Sequence, residues 1–133
     1  MTHEEWIRNA IDILRADLQH IVPLPDHIEI LEHWPDDIEI DERENCWGVC
    51  NDDVGHPCIF ISPMLSDPIE VLETLVHELV HASVGCEHVH DLLFQIPAAS
   101  TGLEGPLIAT YAGAKLLVRL GEIAEILGPY PEY

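Results

Sequence analysis

Two histidines and a glutamate set the first chemical question. The stretch LVHELVHASVG, from Leu75 to Gly85, holds His77 and His81 four residues apart, with Glu78 directly after the first. On a helix, residues four apart differ by about 40° around the axis, so the two imidazoles face one point from adjacent turns. Imidazoles so paired are zinc ligands. Glu78, on the flank of that face, stands where a carboxylate can take the proton of a water activated by the metal. A catalytic zinc takes three protein ligands and keeps a fourth position for water. His88 and His90 follow Gly85, and either can return over the site; Glu87 is a carboxylate alternative close to the turn. Spacing alone does not choose among them.

The elements that must position these groups are legible in outline. Asp67 as N-cap, Pro68 at the first helical position and Glu70 at the third open a helix that carries the motif and stops at Gly85. Leu75, Leu79, Val80 and Ala82 pack it. Ahead of it, residues from about Thr2 to His20 form an amphipathic helix with Trp6, Ile7, Ala10, Ile11, Leu14 and Leu18 on one stripe. VPLPD at Val22–Asp26 ends that helix. HIEIL at His27–Leu31 alternates as a half-buried strand does, and the acidic run Asp36–Glu44 reads as a loop or a charged edge strand. CWGVC (Cys46–Cys50) and CIFIS (Cys58–Ser62) flank turn-forming residues and predict a hairpin. Downstream, Asp91–Gln95 predicts a short helix that Pro97 interrupts or kinks. A last long helix is expected from about Pro106, with Tyr111 in its core face and Gly128 and Pro129 as its close. The order gives an α+β fold in one domain over residues 1–133, with helices packed on a small antiparallel sheet.

Composition narrows the function classes. Acidic residues number 25 against five basic ones, for a formal charge of −20. A phosphate-binding surface needs clustered Lys and Arg, so the balance argues against nucleic-acid binding; the charge reads as a solvated, salt-adapted surface, as a field that steers basic partners, or as mimicry of nucleic acid. The start, MTHEEWIRNAIDIL, lacks a basic region followed by an apolar run, and no apolar stretch approaches the roughly 20 residues that cross a membrane. The expected location is cytoplasmic, and the expected state of Cys46, Cys50, Cys58 and Cys86 is the reduced thiol. Cys46, Cys50, His56 and Cys58 read as residues of strands and their turn rather than a second zinc site. His3, His20, His27, His33 and His56 read as surface or loop histidines.

Four segments then come in one order: WGVC at Trp47–Cys50, IFISP at Ile59–Pro63, HELVHA at His77–Ala82 and HDLLF at His90–Phe94. Together they resemble the SprT-like zinc metalloproteases, the family that includes the Spartan proteases. GLEG at Gly102–Gly105 and LGPYP at Leu127–Pro131 are similar to the short bacterial and phage members. The resemblance implies a zincin-like minimal metalloprotease fold, zinc held by His77, His81 and His90, Glu78 as general base, and Trp47 and Phe94 packed around the site. It selects His90 over His88 because His90 stands four residues before Phe94. The chain departs from the family pattern at Asp91, where the family has glycine, and in DLLFQIPAAS, which carries no lysine or arginine.

Two functions follow as expectations. The first is a zinc-dependent metalloendopeptidase acting on a protein or peptide of basic character. The alternative is a catalytically silent, zinc-containing acidic protein that binds a basic partner or mimics nucleic acid.

Overall fold

The computed structural model describes residues 1–51, 54–86, 92–106 and 110–132. It is a mixed α and β structure, as the order of elements predicts. Helix α1 spans His3–Leu18 and begins with a capping box: the Thr2 hydroxyl accepts from the Glu5 amide, and the Glu5 carboxylate accepts from the Thr2 amide. Its expected stripe, Trp6, Ile7, Ala10, Ile11, Leu14 and Leu18, is buried. The Trp6 indole donates to the Gly128 carbonyl and meets the Tyr130 ring edge-on. The LGPYP segment thus docks on the first helix.

Strand β1 (Glu29–Ile30) pairs in parallel with β3 (Cys58–Ile61), and β2 (Gly48–Asn51) pairs antiparallel with β3, giving the order β1-β3-β2. The hairpin is as expected. The sheet is mixed rather than antiparallel because the chain leaves β1 through a 3₁₀ helix (Ile40–Asn45) in the acidic run, enters β2 on the far side, and turns back as β3 between the two. The run forms a loop over residues 36–39, one of the two forms expected of it, but not the edge strand; its second half is helical. The Glu42 amide donates to the Glu39 carbonyl, and the Glu42 carboxylate accepts from the Glu39 amide, which favours a helical turn. Strand β3 is buried along its whole length, between its two neighbours in the sheet and helix α2 (Pro68–Val84).

Two further expectations are corrected downstream. Helix α3 (Leu92–Thr101) runs through Pro97. Proline removes one helical hydrogen bond, while Phe94, Ala98 and Thr101, spaced four and three apart, are all buried and hold the helix to the core. The long final helix begins only at Ala114. Tyr111–Ala112 instead form β5, antiparallel to β4 (Leu103–Glu104), and α4 spans Ala114–Leu127. Gly102 and Gly105, both at positive φ, shape the start of this hairpin, and the Gly113 amide donates to the Gly102 carbonyl to close it. Tyr111 is half exposed on β5 and is not a core residue. Among the described residues, no helix is long and apolar enough to cross a membrane.

The cysteines also depart from expectation. Cys50 of β2 and Cys86, one residue past the cap of α2, form a disulfide with Cα atoms 5.8 Å apart. Thirty-six residues separate them in the chain, and they meet only because α2 lies back along β2. Cys46 and Cys58 stand outside the bridge. Closing a loop of that length stabilises a fold by roughly 2–4 kcal/mol in the chain-entropy account. Reduction is therefore expected to lower the denaturant midpoint, and thiol titration of the unfolded, unreduced protein should find two thiols rather than four.

Candidate metal centre

Helix α2 carries the motif, and its start is set as expected. The Asp67 side chain accepts from the Ile69 amide, Pro68 occupies the first helical position, and the helix ends at Gly85 with φ 106°. Leu72, Leu75, Val76, Leu79 and Val80 are fully buried, so the helix lies inside the molecule rather than on its surface. His77, Glu78 and His81 are buried with it, at 9%, 5% and 7% exposure. Three polar side chains on one stretch of a buried helix are costly unless partnered, which points to a site rather than to packing.

The two imidazoles face each other at 5.0 Å between ring centroids, with planes at 61°. Phe94 of α3 is fully buried and closes over both: its ring stacks on His81 at 4.3 Å and tilts against His77 at 4.9 Å. This is the packing role the resemblance implies for Phe94. His77 Nδ1 lies 2.6 Å from the Thr110 hydroxyl, just before β5. A hydrogen bond on Nδ1 fixes the ring's orientation and leaves Nε2 as the nitrogen for a metal. No sequence signal marks Thr110, because 33 residues separate it from His77 and only the β4–β5 hairpin returns it to α2. The same hairpin is tied to the helix by the Ala112 amide, which donates to Glu73 at 2.7 Å.

Glu78 faces β2. Burial pushes its carboxyl up to about 8, because a low-dielectric surround disfavours the charged form. The strand makes room for it at Gly48. A Cβ there would sit 2.9 Å from Glu78 Oε2 and 2.8 Å from Thr74 Cγ2. Side chains alternate along a strand, so with Gly48 against the helix the neighbouring Trp47 points away. Trp47 is 45% exposed, which corrects the expectation that it packs around the site. Cys46 is near enough for the Glu78 carboxylate to add to burial in raising its thiol. Gly48→Ala is expected to force Glu78 or Thr74 aside, costing about 1–3 kcal/mol by overpacking. Any activity that depends on Glu78 should fall with it, as comparison of denaturation midpoints and turnover would show.

The donor set suits zinc: two buried imidazoles on adjacent turns, one oriented through its second nitrogen, with a carboxylate beside them. His88, His90 and Glu87, the candidates for the third ligand, lie outside the described residues. A separate group, Glu29, His56 and Cys58, could also hold a metal ion, its ligand atoms lying within 4.8 Å of one another. Cys46 and Cys50 take no part in it, since the Cys46 thiol donates to the Gly48 carbonyl and Cys50 is in the disulfide. Comparison with family models, with curated proteins and with solved structures returns no match for this chain.

Proposed function

We propose that the protein is a zinc-dependent metalloendopeptidase of zincin-like build, with His77, His81 and His90 as ligands and Glu78 as general base. The observation that carries this reading is the buried face of α2. There two imidazoles meet at 5.0 Å, and Glu78, the residue between their turns, has its carboxyl held up near 8. Zinc, when bound there, supplies Lewis acidity and lowers the pKa of water. The chain's own groups do the rest. Thr110 holds the His77 ring and Phe94 holds both rings, so the ligands are preorganised. Glu78 takes a proton from the attacking water and passes it to the leaving amine. The family resemblance in WGVC, HELVHA and HDLLF supports His90 as the third ligand. The charge of −20 favours basic substrates.

The test is to profile the zinc-loaded protein against a peptide library by mass spectrometry. Cleavage that a chelator abolishes and zinc restores is the expected result. Bound zinc with no cleavage, together with salt-sensitive binding of a basic protein, would replace this reading with that of an acidic binding protein. His90→Ala should lose metal from α2, and His88→Ala should not; the opposite pattern would reassign the third ligand.

A further inference from the structure

The parallel pairing of β1 with β3 brings together four residues that sequence position scatters. Glu29 lies opposite Cys58 in the register, a pairing held by the Glu29 amide donating to the Pro57 carbonyl. His27 and His56 lie just ahead of the two strands, and their contacts bring them beside the Glu29–Cys58 pair. Cys58 Sγ is 3.2 Å from Glu29 Oε2, and His56 Nε2 is 3.6 Å from the same oxygen. The His27 ring meets the His56 ring edge-on at 4.4 Å. His56 Nε2 is buried and has no hydrogen-bond partner among the described residues.

From this geometry we infer a second metal site, distinct from α2, in which Cys58, His56 and Glu29 bind a borderline-soft divalent cation of the zinc class. Ligands on a tetrahedral zinc, with bonds of 2.0–2.3 Å, stand about 3.3–3.6 Å apart. Cys58 Sγ and His56 Nε2 stand near that spacing from Glu29 Oε2, at 3.2 and 3.6 Å, and the three ligand atoms lie within 4.8 Å of one another. The donor types agree with it as well: thiolate and imidazole select zinc and its neighbours over magnesium or calcium. Binding displaces the Cys58 thiol proton to solvent, and the metal takes the place of the S–H···O contact to Glu29. His27, whose ring meets His56 at 4.4 Å, is a further donor for a fourth position, with water as the alternative. Strand β1 is two residues long, and such a site would staple it to the centre of the sheet. Its role is structural, and it does not depend on the peptidase reading of α2.

Cobalt(II) titration of the intact, unreduced chain separates the two sites. A three-histidine site on α2 has no thiolate, so a sulfur-to-cobalt charge-transfer band reports the second site alone. The band is expected in the wild type and in His81→Ala, and it should be absent from Cys58→Ser. His56→Ala, at a partly exposed position whose loss the fold should tolerate, should weaken the affinity read from the band at least tenfold. A saturating titration with no such band, or a band unchanged in both Cys58→Ser and His56→Ala, would overturn the inference. Failure of the peptidase reading would instead show as missing turnover with this band intact.

Discussion

Glu78→Gln is expected to lower peptide cleavage by the zinc-loaded protein by about 10²–10⁴-fold while leaving zinc bound. The substitution keeps shape and volume, so packing against Gly48 survives. The glutamine amide cannot accept a proton as a carboxylate does, so the base is lost and little else changes. Zinc should stay, because the proposed ligands are imidazoles. The loss should therefore appear in kcat, with KM little altered. An unchanged rate would remove Glu78 from the mechanism. Loss of zinc along with activity would make Glu78 part of the metal's support rather than the base.

The same residue makes the metal-free protein sensitive to pH. Glu78 has an ordinary value near 4.5 and is held at about 8 in the fold. Below about pH 4.5 both folded and unfolded chains carry the proton, and the group has no effect. Between 4.5 and 8 the folded state keeps a proton that the unfolded state releases, so stability falls as pH rises. Above 8 both are ionised and the full penalty persists, up to about 5 kcal/mol. Metal-free wild type should therefore lose stability against Glu78→Gln across this window. Taking the difference between the two proteins cancels the self-repulsion of the surface carboxylates, which both share. Zinc should shrink the difference, because a nearby cation favours the carboxylate. Parallel denaturation curves at pH 5 and pH 8, with and without zinc, check it; equal midpoints for the two metal-free proteins at both pH values would contradict it. Glu29, whose carboxyl is lowered, acts with the opposite sign and only on the acid side.

What could be read from the chain follows the range of the interactions involved. The caps of α1 and α2 are local: Thr2 with Glu5, and Asp67 with Pro68, act over three residues and announce themselves. The helical face of His77 and His81 is local too, and follows from the α-helical period. Contacts made by tertiary return are not visible at that range. Thr110 reaches His77, Cys50 reaches Cys86, and Glu29 reaches Cys58 only after the β4–β5 hairpin, the α2 crossing and the parallel β1–β3 pairing have formed. Misreading Tyr111–Ala112 as helix hid the first of these, and reading the sheet as antiparallel hid the last. Gly48 stood in the quoted WGVC, but the reason for a glycine there is the Glu78 side chain thirty positions on.

The central claim, that α2 is a metal centre, is tested most directly by zinc content in the His56→Ala background, where the second site is weakened. One tightly held zinc per chain is predicted there, falling to none when His77→Ala or His81→Ala is added. A zinc that persists through both of these substitutions would contradict the account.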